Sequence, residues 1–218
     1  MTHFAADAHP FIRANLTLTP IRGVPEVSIY TAHPGSGLAR LGGDAAPYWA
    51  YPWAGGAALA RHVLDNPKGV ERRRVLDLGA GSGMVGIAAM KAGAHSVLAA
   101  EIDPLGRAAL GLNAAANGVT VSVAEHDVLE GPLPDVHTVL GGDVFYSRAV
   151  AGRVSRFLEL CVDSGITVLV GDPGRAPLPL KRLVPLAEYA VPDFGDGASA
   201  PLRKGTVFGW TAQRTRKI

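Results

Sequence analysis

The stretch Arg74-Val75-Leu76-Asp77-Leu78-Gly79-Ala80-Gly81-Ser82-Gly83-Met84 restricts the possible folds of this chain more than any other. An apolar run ends in an acid, a glycine-rich turn follows, and Met84 to Ala92 carries Val85, Ala88 and Ala89 at helical spacing. That order reads as a strand, a tight loop and a helix start. Glycine turns the backbone sharply and lets a ligand reach the main chain with no side chain in the way. The helix N-terminus beyond it favours carboxylate or phosphate. A dinucleotide fingerprint, G-x-G-x-x-G, begun at Gly79 and Gly81 would place its third glycine at position 84. Met84 stands there, and the chain reads D-x-G-x-G-x-G from Asp77 to Gly83.

This loop resembles the first motif of the seven-strand class I methyltransferases, which bind S-adenosylmethionine (SAM). A zwitterionic amino acid, unlike a pyrophosphate, brings an ammonium, and that gives Asp77 a role beside Gly79, Gly81 and Gly83. On the loop alone, a generic nucleotide site or a structural turn stays open.

A length of 218 residues suits one α/β domain with a modest N-terminal addition. The expected division is an extension over residues 1–46 and a single globular unit over 47–218. With 48% hydrophobic residues the chain can bury a sizeable core. No apolar run is long enough to span a bilayer, and the first residues lack a basic segment followed by an apolar one. A soluble, cytoplasmic monomer is expected. Cys161 is the single cysteine, which excludes an intrachain disulfide and a thiolate cluster; its apolar surroundings read as helix core. The seven histidines show no metal-binding spacing, so no metal site is expected. A net charge of +2 gives no argument for nucleic acid. Arg203, Lys204, Arg214, Arg216 and Lys217 read as a solvated basic end.

In chain order, β-like pieces near Leu16 to Thr19 and Val27 to Tyr30 are split by Pro20 and Pro25. Pro47 to Gly56 then concentrates two of the three tryptophans, Trp49 and Trp53, and two of the five tyrosines, Tyr48 and Tyr51. This run is either an aromatic plug or a wall of an active site, since ring faces attract cations. A helix follows from Ala57 to Leu64. After the glycine loop, strands at Val97 to Ile102, Val119 to Ala124, Thr138 to Leu140 and Ile166 to Val170 alternate with helices at Leu105 to Asn117 and Ala149 to Cys161. A weaker helix, Leu180 to Leu186, precedes a short strand at Tyr189 to Val191 and a last one at Thr206 to Trp210. Alternation of this kind implies a doubly wound, mainly parallel, Rossmann-like sheet with ligands beyond the carboxyl ends of its strands.

Polar residues do stand just after those strands. Glu101 is placed to accept ribose hydroxyls, or is a surface acid. Asp103 before Pro104 fits a helix N-cap. Asp127, after His126, meets an adenine edge or forms a turn. Asp143-Val144-Phe145-Tyr146 follows the fourth strand without the paired prolines of N-P-P-Y or D-P-P-Y. It looks like the D-x-x-Y motif of seven-strand lysine methyltransferases, although Asp143 could instead cap the next helix. Phe145, Tyr146 and Trp53 would desolvate a lysine amine there. Gly171-Asp172-Pro173-Gly174-Arg175 is a sharp turn whose Arg175 could pair with Asp172 or grip a substrate.

Together, Tyr48 to Gly56, Asp77 to Gly83, Glu101-Ile102-Asp103-Pro104, Gly142 to Tyr146 and Gly171 to Arg175 resemble the electron transfer flavoprotein beta-subunit lysine methyltransferase family. The similarity runs from about Pro25 to Trp210. It implies SAM as donor, held by Trp53, Asp77, Gly79, Gly81, Gly83, Glu101 and Asp127. It also implies an amine site at Asp143, Phe145 and Tyr146, and substrate contacts from Tyr48, Trp49, Asp172 and Arg175. Known members methylate lysines beside the flavoprotein's recognition loop, which dampens electron transfer from partner dehydrogenases. A protein substrate and a bacterial cytosolic member follow as expectations. Glu101 stands where some relatives carry Asp. Two other readings are a methyltransferase of another protein, such as ribosomal protein L11, and a SAM-binding module without turnover.

Overall fold

The reversal of strand order between two neighbouring central strands fixes where a ligand can sit. In the computed structural model, which describes residues 4–41, 46–194 and 200–211, seven strands form one sheet. They are β3 (Arg74–Leu78), β4 (Ser96–Ala100), β5 (Ser122–Val123), β6 (Thr138–Gly142), β7 (Thr167–Asp172), β8 (Leu183–Val191) and β9 (Arg203–Trp210). Their spatial order is β5-β4-β3-β6-β7-β9-β8. All pair in parallel except β9, which runs antiparallel to both β7 and β8. The chain winds outward from β3 through β4 to β5, then returns to β6 on the other side of β3. The crevice outside the ends of β3 and β6 is therefore the switch point.

Side chains alternate across β3, so Val75 faces one layer and Leu76 the other. On the first face Val75, Val97 and Leu140 pack against α2 (Ala54–Asp65) and α3 (Met84–Lys91). On the second, Leu76, Val139, Val168 and Val170 meet Phe157, Leu158 and Cys161 of α5 (Arg148–Asp163). Burial pushes the Cys161 thiol up to about 12, so it is an unreactive core group.

Before the sheet come α1 (Phe4–Asn15) and a two-stranded ribbon, β1 (Thr17–Ile21) and β2 (Val24–Thr31). Pro20 and Pro25 lie inside these strands rather than splitting them. A two-stranded ribbon has an unpaired edge on each strand, so a missing N–H there need not break a pair. Val24, Val27 and Ile29 enter the same core as α2. Two asparagines of α4 (Pro104–Ala116) and its C-cap tie the ribbon down. Asn117 accepts from the Ser28 amide and donates back to the Ser28 carbonyl. Asn113, fully buried, accepts from the Tyr30 amide and donates to the Ser82 carbonyl of the glycine loop, each at 2.8 Å.

Two sequence expectations need correction. Leu180–Arg182 is a short 3-10 turn, and the chain from Leu183 is a nine-residue strand. Pro185 argues against the expected helix and is tolerated because β8 lies at the sheet edge. The expected strand from Val119 to Ala124 narrows to Ser122–Val123, paired only with β4. The end of the chain with Arg214, Arg216 and Lys217 lies outside the described residues.

Candidate active site

Asp77 to Gly83 crosses from β3 to α3 with Gly79, Gly81 and Gly83 all in the left-handed region, at φ of 64°, 52° and 78°. Only glycine occupies that region freely. Asp77 itself points beneath the loop, where its Oδ2 accepts from the Gly86 amide of α3 at 2.8 Å. Burial raises its pKa to about 7, against the favourable Gly86 bond and with the help of nearby Glu101. Glu101, just beyond β4, accepts from the Gly81 amide at 2.7 Å and the Asp103 amide at 2.8 Å. Burial raises its pKa as well. A carboxylate has about four lone-pair sites, so both oxygens retain capacity for hydroxyl donors. Asp103 caps α4 through the Leu105 amide, as the Asp-Pro pair predicts.

One cavity of about 520 Å³ joins this loop to the end of β6. Its wall contains Asp77, Gly79, Gly81, Glu101, Asp127, Asp143, Tyr146, Tyr48, Trp49, Trp53 and Arg175. Its size falls in the usual range for sites that enclose a small molecule.

Asp143 has φ of 58°, a left-handed backbone that only a few non-glycine residues adopt. That turn aims its carboxylate across the sheet end to α2, where Oδ2 accepts from the Gly56 amide at 2.6 Å. Oδ1 pairs with the Arg175 guanidinium. Burial raises the Asp143 pKa, against the lowering effects of Arg175 and the Gly56 amide. Ser147, not Asp143, caps α5, through the Val150 amide. The α2 amide reaches Asp143 because four glycines let backbone lie on backbone. A Cβ on Gly171 would stand 2.1 Å from the Gly55 carbonyl, and one on Gly142 would stand 2.7 Å from the Gly56 Cα. Gly55 and Gly56 therefore belong inside the helix, which starts at Ala54, three residues before the start expected from sequence.

Rings edge the cavity beside Asp143. Tyr48 and Tyr146 lie 6.0 Å apart, Tyr48 meets Trp53 edge-on at 5.7 Å, and Trp53 stacks on Phe194 at 5.0 Å. Tyr48 and Tyr146 are 55% and 57% exposed. The Trp53 indole donates to the Tyr48 carbonyl at 2.8 Å, and Arg175 lies over its ring at 5.9 Å.

Several sequence-based assignments shift. Phe145 is fully buried, stacked on Trp210 at 6.1 Å, and belongs to the core rather than to a slot wall. The next residue in the chain faces the opposite way, so one ring of the Phe145-Tyr146 pair had to be turned inward. Asp172 is also fully buried: Oδ1 takes the amides of Gly174 and Arg175, and Oδ2 lies 3.2 Å from the Arg175 guanidinium. It orients Arg175 and has no surface for a substrate. Trp49 is 2% exposed and packs with Ile12, Leu16 and Leu112, so its ring serves the junction with α1 and α4. Asp127 makes an Asx turn to the Leu129 amide and pairs with Arg153 at 2.6 Å, while still bordering the cavity. Sequence reasoning missed Ile102, which lines the cavity though 71% exposed, and also Arg153 and Phe194. An apolar residue directly after the strand-end acid was the available signal for Ile102; nothing local marked the other two.

A sequence model of the family Ribosomal protein L11 methyltransferase (PrmA) matches residues 58–141, which span the loop and Glu101. The electron transfer flavoprotein beta subunit lysine methyltransferase of Rattus norvegicus is 38% identical over 153 residues, covering 67% of this chain and 60% of that protein. Its Xenopus laevis counterpart is 38% identical over 170 residues, covering 75% of this chain and 69% of the relative. The chain thus spans less than two thirds of the rat protein. Among solved structures, an RNA methyltransferase from Salinibacter ruber in complex with S-adenosyl-L-homocysteine superposes with a TM-score of 0.51 at 19% identity. That match covers 73% of this chain and 94% of the other and speaks for the shared fold alone. With its seven-stranded sheet, its continuous cavity and this level of identity to the frog protein, the chain belongs to the electron transfer flavoprotein beta subunit lysine methyltransferase family.

Proposed function

We propose that this protein is a SAM-dependent protein-lysine N-methyltransferase whose substrate is the beta subunit of electron transfer flavoprotein, modified near its dehydrogenase-recognition loop. The observation that carries the reading is that Asp143, Tyr146, Tyr48 and Trp53 border the same cavity as the glycine loop and Glu101. The residues fit the donor. Left-handed glycines leave no side chain between a ligand and the main chain of the loop, and Asp77 and Glu101 offer acids to its ammonium and ribose. Asp127, Ile102 and Arg153 border the space for its base. When bound, SAM supplies an electrophilic methyl group.

The protein's own work is to present a neutral amine. A lysine with an ordinary pKa near 10.4 is neutral about once in a thousand at pH 7.4, a deficit of about 4 kcal/mol. Tyr48, Trp53 and Tyr146 displace water around the amine, which disfavours its charged form. Asp143 alone would oppose this by attracting a proton to the amine. Its pairing with Arg175 offsets that pull and leaves a hydrogen-bond acceptor to aim the nitrogen. Direct displacement depends mainly on such alignment. The methylated cation that results can rest against ring faces.

Incubating the protein with recombinant flavoprotein and SAM, followed by peptide mass measurement, tests the proposal. Methylated lysines in the beta subunit support it. Methylation confined to L11 in a cell lysate would replace the substrate, and SAM binding without transfer to any protein would replace the activity.

A further inference from the structure

The Asp143 carboxylate is not alone at the end of β6. Arg175 Nη1 bridges it to Asp172, whose side chain is fully buried and fixed by two backbone amides. The guanidinium is braced on its other side by the Trp53 ring. Three charged groups thus form a linear network, acid, base, acid, with one net negative charge. Asp143 and Arg175 border the cavity together with the aromatic rim, and Asp172 stands behind them.

We propose that Arg175 is a positioning residue for methyl transfer: held by Asp172 and Trp53, it keeps the Asp143 carboxylate both aimed at the amine slot and negatively charged. The inference rests on the lysine methyltransferase reading above. Without Arg175, two buried carboxylates would face one another across the end of the sheet, and like charges so placed share a proton. The shared proton would convert Asp143 from an acceptor for the amine into a donor. Two backbone amides and full burial fix Asp172, whereas Asp143 holds one amide and borders the cavity, so Asp143 is the group that changes. The other groups near Asp143 are the Gly56 amide, which favours its charge, and Tyr48, Tyr146, Glu101 and Asp77 along the cavity. Asp193 faces the first amide of α2 at 3.4 Å. None of these supplies a second cation to Asp143. Burial disfavours the Arg175 charge, but Asp143 and Asp172 outweigh it and hold the guanidinium protonated.

The test compares the full-length protein with Arg175→Met and Arg175→Lys, measuring initial methylation of the flavoprotein beta subunit from pH 6.5 to 9.5. SAM affinity is measured alongside by calorimetry. Because free lysine also becomes neutral as pH rises, the decisive quantity is the ratio of wild-type to variant kcat/KM at each pH. Arg175→Met should retain SAM binding and show a ratio that falls by about tenfold per pH unit until Asp143 ionises again. Arg175→Lys should recover most of the loss. A ratio independent of pH, or a Lys variant as impaired as the Met variant, would overturn the proposal. If wild type itself transfers no methyl to the flavoprotein, the underlying reading fails instead.

Discussion

Replacing Asp77 with Asn should remove the loss of stability that this acid imposes on the fold as pH rises. Asp77 is 2% exposed and keeps its proton up to about pH 7 in the folded chain, against an ordinary value of 3.8. Between those two values the unfolded chain gains the free energy of ionising this acid and the folded chain does not. The stability this acid contributes in its neutral form is therefore full below pH 3.8 and declines as pH rises, until the folded group ionises near 7. The interval is a little over three pH units. At about 1.4 kcal/mol per unit, the total reaches about 4 kcal/mol. Asn at this position carries no charge, and its carbonyl oxygen can still accept from the Gly86 amide. Urea unfolding followed by tryptophan fluorescence at pH 5, 6, 7 and 8 measures both proteins. The advantage of Asp77→Asn over wild type should grow by about 2 kcal/mol from pH 5 to 7 and then level off. Parallel stability curves would refute the argument, because they would mean that Asp77 ionises as easily in the fold as in the open chain. The same variant bears on the donor. If Asp77 serves the ammonium of SAM, wild-type affinity weakens below pH 7 as the acid takes up its proton, and Asn removes that dependence.

Other consequences follow from the same contacts. Gly171→Ala drives a methyl group into the Gly55 carbonyl, so it should destabilise the fold by about 1–3 kcal/mol and slow transfer by shifting the Gly56 amide from Asp143; an unchanged melting temperature would contradict this. Asp143→Ala should lower methyl transfer about a hundredfold through lost alignment while SAM binding persists, as read by labelled-methyl incorporation and calorimetry. Adjacent aromatics should behave in opposite ways: Phe145→Ala should cost about 3–5 kcal/mol of stability. Tyr146→Ala should change stability by less than about 0.5 kcal/mol yet impair turnover of the protein substrate, in paired unfolding and kinetic measurements.

Most of the sheet could be read from the chain because a parallel core leaves local marks. Apolar runs such as Val75-Leu76 and Val168 to Val170 end in acids or glycines where β3, β6 and β7 meet the crevice. Placement of Glu101, Asp143 and Arg175 at strand ends followed from the same logic. The errors share a cause, which is that long-range pairing outweighs local pattern. Leu183 to Leu186 reads as the end of a weak helix ahead of the short strand at Tyr189, and joins that strand because β9 offers its open edge. Phe145 and Tyr146 look interchangeable in sequence, and only the packing of Trp210 decides which ring is turned inward. Gly55 and Gly56 look like a loop ahead of a helix, and only the close approach of Gly171 to the first and of Gly142 to the second draws them into it. Asp172 and Asp127 read in sequence either as turn formers or as ligand contacts, and only the amides and arginines that engage them decide between the two.

The carboxamide of Asn113 touches Tyr30 on one side and Ser82 on the other, so the N-terminal hairpin and the donor loop lean on a common post. Anything that quiets the loop thereby steadies a segment of chain that never meets the ligand. Slower amide exchange at Tyr30 could report donor occupancy from behind the pocket. Trimming away the hairpin would loosen the turn at Ser82 even though every group bordering the cavity was still in place.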